Sequence, residues 1–302
     1  MSIIAKLKRL VEDPPPEFLF EFSEAGIAWA HRAKTQSTGF EPLEPGVISP
    51  SPVRDNVLQP ERLEEAIFRL APPAAQRRRT AAVLLPDYCG RVAVLDFDSF
   101  PSEPQEQMAL VRFRVKKSVP FDLDAASVSF QVQPHRIGGK KRDVVVAVVS
   151  HEILARYEAP LRAAGLHPGF VTISALAALN LVSETSLVVT AKLSGLVLSV
   201  AVTENNALRM FRCVELEEVS TRELTGVLFP TYAYIEDEMQ TRPSRLLLCG
   251  FGPFGEALTA DLERELNTRV SPLRSVFGAP GPFNAGLLGY LQTVGMEMGE
   301  AA

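Results

Sequence analysis

The sequence predicts a mixed α/β protein of two lobes. Strand-sized apolar runs alternate with amphipathic stretches of helical length along the whole chain. Each half also begins with short strands joined by tight turns, then continues into helices and further strands. The 302 residues suffice for one large domain or two lobes, and 46% hydrophobic with 22% charged residues suits a packed core.

Residues 1–13 read as a short amphipathic helix, with Ile3, Ile4, Leu7, Leu10 and Val11 on one face and Lys6, Lys8 and Arg9 on the other. Pro14, Pro15 and Pro16 stop it. Two readings stand side by side: a segment that lies on a membrane or partner, and one folded onto its own domain. Phe18–Phe22 and Gly26–Ala30 form a hairpin around Ser23-Glu24-Ala25. A loop rich in Pro, Gly and Ser runs from Phe40 to Pro60, where a helix to Leu70 starts. The next loop ends in Arg77-Arg78-Arg79, read as solvated. Strands Ala81–Leu85 and Arg91–Phe97 read as a pair across Cys89-Gly90. A helix Gln105–Lys117 is broken by Val119-Pro120-Phe121, and strands Ser127–Gln133 and Asp143–Val149 flank a turn carrying Lys140-Lys141-Arg142. Helix His151–Ala164 stops at Gly165, before strand Gly169–Ile173 and helix Ser174–Leu181.

The second half has strands Ser186–Lys192, Gly195–Thr203 and Ala207–Val214, then helices Glu218–Val227 and Thr231–Gln240. Strand Arg245–Cys249, a glycine turn, helix Glu256–Asn267 and a final helix from Asn284 complete it. The expected organisation is an N-terminal helix (1–14), a first lobe (15–185) with an inserted subdomain at about 100–170, and a second lobe (186–302). The final helix is a candidate to return to the first lobe.

A net charge of −5 argues against nucleic acid as the main partner. Cys89, Cys213 and Cys249 show no CxxC pair and read as buried or half-buried thiols in a reducing compartment. No apolar run has the length of a membrane span; the oily stretch from Leu187 to Val202 carries Lys192 inside it. With no signal-peptide pattern either, the expected location is the cytoplasm.

The sharpest local motif is Gly250-Phe251-Gly252-Pro253-Phe254-Gly255, a G-x-G-x-x-G between strand and helix. As a dinucleotide loop it has the wrong context: the strand near Thr268–Leu273 ends without an acid for a ribose, and Pro253 removes an amide donor. His151-Glu152-Ile153-Leu154-Ala155 lacks the second histidine of a zinc motif, so no metal site is predicted. Nucleophile-elbow and Walker patterns are absent.

The order of elements from Gln105 to Leu181 resembles the PilM family of type IV pilus assembly. It is carried by Val119-Pro120-Phe121, Asp122-Leu123-Asp124, Val128-Ser129-Phe130-Gln131-Val132, the apolar strand Val144–Val149, His167-Pro168-Gly169-Phe170-Val171 and Ser174-Ala175-Leu176-Ala177-Ala178. The resemblance implies an actin-like (ribonuclease H-like) two-lobed ATPase fold with an inserted small α/β subdomain and Mg-ATP between the lobes. Against the family's first phosphate loop, D-I-G-S, this chain has Glu21-Phe22-Ser23-Glu24, and Ala28 replaces the following lysine. Against the second, D-I-G, the sequence reading sets Thr190-Ala191-Lys192; only Gly250-Phe251-Gly252 keeps the third element. The stretch from Val214 to Arg245 is also short for the family, which implies a trimmed second lobe.

The degenerate cleft is thus expected at Ser23, Lys192, Gly250, Phe251 and Gly252, with no cofactor expected and ATP turnover lost. Glu24 would set a carboxylate beside a triphosphate, and Thr190 has no charge to hold Mg²⁺. The resemblance implies a scaffold at the inner face of the inner membrane, binding the cytoplasmic tail of a PilN-like protein, with membrane contact through residues 1–13. Two alternatives remain: an active Mg-ATP-binding protein of the pilus or type II secretion machinery, using Glu21, Lys192 and the glycine turn, and a dinucleotide enzyme using Gly250, Gly252 and Gly255.

Overall fold

Strand β1 (Phe18–Ser23, FLFEFS) is buried at all six residues, so it gains nothing from polar alternation. Such strands lie inside sheets covered on both faces, and β1 is central in the first of two large sheets. The computed structural model describes residues 15–32, 37–72, 79–135 and 141–299. The expected N-terminal helix lies outside the described residues, as do Arg77, Arg78 and Lys140.

The first sheet also holds β2 (Gly26–His31), β3 (Ser37–Pro42), β4 (Arg79–Leu85) and β8 (Leu166–Ile173), in the order β3-β2-β1-β4-β8. The second holds β9 (Val188–Ser194), β10 (Val197–Glu204), β11 (Ala207–Glu215), β12 (Arg245–Cys249) and β13 (Val270–Pro272), in the order β11-β10-β9-β12-β13. In each, three antiparallel strands are followed by two that run parallel to the first. The two lobes therefore share one topology, strand for strand, without a visible sequence repeat.

Helices α1 (Pro60–Leu70) and α3 (His151–Ala163) cover one face of the first sheet, burying Leu63, Ile67, Ile153, Tyr157 and Leu161 against Phe20, Phe22 and Val83. Helices α5 (Thr221–Met239) and α6 (Phe254–Leu266) do the same for the second, through Leu224, Leu228, Ile235 and Leu262. The sequence predicts a break before Thr231; the helix runs on through Pro230, which is exposed. The carbonyl freed by the missing N–H therefore has water to bond.

The other faces are covered crosswise. Helix α4 (Ser174–Ala178) and the 3-10 turn after it set Ala178 and Leu181 against Val188 and Leu247 of the second sheet. Helix α7 (Ala285–Gly299) sets Leu287 against Leu19, Ala28, Ala30 and Ala82 of the first.

A three-stranded sheet, β5-β7-β6, is built from β5 (Arg91–Phe97), β6 (Ala126–Val132) and β7 (Arg142–Ser150). Helix α2 (Pro104–Val115) packs Val111 and Val115 against its Val144, Val146 and Val148. The pairing corrects two expectations. The strands β4 and β5 are not a hairpin: β4 pairs in parallel with β1 and β8, whereas β5 pairs with β7. The small sheet starts at Arg91 and ends at Ser150, and β8 belongs to the first lobe, so the inserted unit lies earlier than about 100–170.

Arg79 is not part of a solvated loop either. It is 6% exposed, opens β4, and donates to the carbonyls of Ala164 (2.6 Å) and Pro72 (3.0 Å). Lys141, expected at a solvated tip, pairs with Asp96 at 2.5 Å in a half-exposed contact.

Candidate functional site

The site is the seam where the central hairpins of the two lobes face each other. In the first hairpin Ser23 pairs with Gly26 at the turn, and Glu21 with Ala28 two residues further in. In the second, Ser194 pairs with Val197 and Lys192 with Ser199. The registers coincide, so Glu21 and Lys192 occupy equivalent positions in the duplicated topology. This shifts the loop correspondence read from the sequence: Thr190–Lys192 lies within β9, and the turn is Ser194–Val197. A lysine thus stands opposite the glutamate where two like positions meet.

Both side chains are buried. The Lys192 ammonium donates to Asp87 Oδ2 at 2.8 Å, and the Ser199 hydroxyl donates to the same oxygen at 3.0 Å. Asp87 Oδ1 accepts from the Ala175 amide at 2.7 Å. Asp87 opens a 3-10 turn directly after β4, so its carboxylate is held by its own lobe on one oxygen and by the other lobe on the second. Glu21 accepts a short hydrogen bond from the Ser174 hydroxyl and one of 2.7 Å from the Leu287 amide of α7.

Burial raises the pKa of Glu21, an effect partly offset by Lys192 and by its two hydrogen bonds. Burial alone would lower that of Lys192, but the Asp87 and Glu21 carboxylates outweigh it and raise the value.

The turns themselves touch. Gly195 has φ +58°, and a Cβ there would collide with the Glu24 carboxylate. The cavity between the hairpins, lined by Ser23, Glu24, Asp87, Tyr88, Ser194 and Val197 among others, measures about 10 Å³, room for one water at most. Burial, then Glu215, raises the pKa of Glu24. A folded-state pKa above the unfolded one gives stability that is complete below the ordinary value of 4.5 and is lost as pH rises through the folded value. Glu24→Gln should therefore gain stability over the parent as pH rises from below 4.5 to neutrality. A thermal-unfolding difference that stays constant with pH would contradict this.

Of the residues predicted from the sequence, Ser23 closes the first turn, its hydroxyl donating to the Gly26 carbonyl at 2.9 Å. Lys192 lies at the heart of the seam. Gly250 (φ +77°) backs onto the Leu193 carbonyl, which leaves no room for a Cβ, and Gly252 has φ +51°. Phe251 is 4% exposed and fills the core of the second lobe. The conformation and packing of the turn thus account for both glycines. Asp87 and Ser199 escaped the sequence reading, although an aspartate straight after the apolar strand of β4 was a visible signal.

Among the described residues no three His, Cys, Asp or Glu side chains cluster as a metal site. The three cysteines are free, and burial pushes the Cys213 and Cys249 thiols up to about 12. No described helix is long and apolar enough to cross a membrane.

Two sheets of identical order, helices α4 and α7 crossed between them and their central hairpins facing, define an actin-like ATPase fold. Two solved structures agree. The chain is similar to one in the PilM–PilN type IV pilus biogenesis complex, with a TM-score of 0.73 and 18% identity over 93% of this chain and 99% of that one. It is also similar to a Bacteroides thetaiotaomicron protein with an actin-like ATPase fold and unknown function (TM-score 0.56, 12% identity, 90% and 94% covered). A third similar structure is the cytoplasmic domain of EpsL, an inner-membrane component of the Vibrio cholerae type II secretion system (TM-score 0.47, 17% identity, 76% and 80% covered). No protein-family profile matches the sequence, and no curated protein matches it significantly.

Proposed function

We propose that this chain is a scaffold of a type IV pilus assembly machine, lying at the cytoplasmic face of the inner membrane and gripping the tail of a PilN-like protein. The observation that supports it most is the likeness over 93% of the chain to a member of the PilM–PilN complex.

A receiving groove is available between the first lobe and the inserted unit. It is a cavity of about 260 Å³ lined by Val53, Asp55, Phe121, Glu152, Ile153 and Arg156 among others. Val53 is 58% exposed, and Arg156 pairs with Asp55 at 2.8 Å. An apolar wall with charges of both signs at its rim suits a side chain or two of an extended peptide.

This reading places no Mg-ATP in the seam. The Glu24 carboxylate lies against Gly195, where phosphates would need the approach, and like charges there oppose binding. Lys192 supplies an ammonium at the position equivalent to Glu21, and its charge opposes Mg²⁺. On this reading the chain works without nucleotide turnover.

Titration of the purified chain with the tail peptide of a PilN-like protein tests the scaffold. Binding is expected, and Val53→Glu should weaken it about tenfold or more, as burying an unpaired carboxylate costs over ~1.4 kcal/mol. A peptide that fails to bind removes the proposal. The nucleotide reading has its own test: millimolar Mg-ATP should leave the melting temperature unchanged, and a clear rise would overturn it.

A further inference from the structure

We propose that Lys192 is a built-in cation that fastens the two lobes together through Asp87, with the Glu21 carboxylate fixed nearby, so that the closed seam needs no ligand. This rests on the reading above that no nucleotide occupies the seam, and it adds what replaces one.

The two partners of the latch come from different lobes. Lys192 belongs to β9 of the second sheet; Asp87 follows β4 of the first, and their side chains are 5% and 0% exposed. Asp87 is held rigid on its own side by the Ala175 amide, so the Lys192 and Ser199 donors pull on a fixed anchor. Glu21 is fixed in the same way by Ser174 and by the Leu287 amide. Two carboxylates on the first lobe thus face one ammonium on the second. The cation is tethered to the backbone of the second lobe and cannot leave.

The geometry also makes the latch all-or-none. Its groups are out of water, so an open seam must either hydrate them or leave them unpaired, and neither half-state is cheap. The Glu24–Gly195 contact then closes the mouth of the seam above the ion pair.

Hydrogen exchange on the full chain tests this, comparing the parent with Lys192→Met and Asp87→Asn, each with and without millimolar Mg-ATP. Asp87→Asn keeps the size and the acceptor for the Ala175 amide, so it removes the cross-lobe charge pair with the least harm to folding. Both variants should exchange about a hundredfold faster in the two hairpins, 18–31 and 188–204, as expected for a broken buried pair. Mg-ATP should not slow these amides in the parent. Unchanged hairpin rates in Asp87→Asn would overturn the latch, and so would protection of the parent hairpins by Mg-ATP. If Lys192→Met does not fold, Ser199→Ala takes its place and should show a smaller rise in the same amides; no rise there would also count against the latch. A parent that binds no tail peptide but whose variants loosen at the seam would sink the scaffold reading and leave the latch standing.

Discussion

Arg209→Met should cost about 3–5 kcal/mol and undock the inserted unit from the second lobe. Arg209 follows the β10–β11 turn and is buried, its side chain 1% exposed beside an Asp143 that is 5% exposed. It donates to Asp143 Oδ2 at 2.9 Å and to the Pro134 carbonyl at 3.0 Å, both in the inserted unit. Next to it the Leu208 amide donates to the Gln133 side chain at 3.0 Å. Around this bolt lies an apolar patch, with Val92, Val94 and Val145 of the insertion packed with Ala201, Leu208 and Phe211 of the second lobe. Methionine would keep the volume but strip Asp143 of its arginine in a place that water does not reach. Chemical denaturation should show the loss, and Arg209→Met with Asp143→Leu should recover part of it, because removing both charges also removes their desolvation cost while Glu204, 3.7 Å from Arg209, loses its partner. A loss below ~1 kcal/mol would mean that the apolar patch alone holds the insertion.

The contrast between what sequence showed and what it hid follows from range. Most strands were legible because each is a local apolar run, and β1, β9 and β12 appear where those runs predict them. Lys192 was visible as a charge inside an oily stretch, a local anomaly that had to have a partner. Its partner was hidden, since Asp87 lies 105 residues earlier. The run before Asp87 and the run after it are separated by a hairpin-length turn, which reads locally as one hairpin. Only the pairing of β4 with β1 and β8 reveals that the chain leaves one sheet for another at that turn. The glycine turn misled in the opposite direction: Gly250 and Gly252 are needed by conformation and packing, which a motif cannot distinguish from a need to approach phosphate.

Gly289→Val should destabilise the chain by about 3 kcal/mol or more, the upper range for overpacking. Helices α4 and α7, each crossed over to the other lobe, meet through glycine. A Cβ on Gly289 would collide with the Ala177 carbonyl oxygen and stand 2.8 Å from its carbon, and one on Gly286 would stand 2.9 Å from the Ser174 Cα. These obstacles are backbone, so no rotamer change relieves them. The two glycines lie three residues apart on one helix face. Gly226 on α5 supplies the control, because nothing stands within 4 Å of a Cβ there. Gly226→Ala should stabilise by about 0.5–1 kcal/mol through helix propensity alone. Urea denaturation of the two variants checks both signs, and a Gly289→Val chain within ~1 kcal/mol of the parent would show that α7 can shift freely. It should not, because the same helix carries the Leu287 amide that fixes Glu21. Pushing α7 off α4 therefore slackens one of the two carboxylates facing Lys192, and the helix crossing and the seam should loosen together.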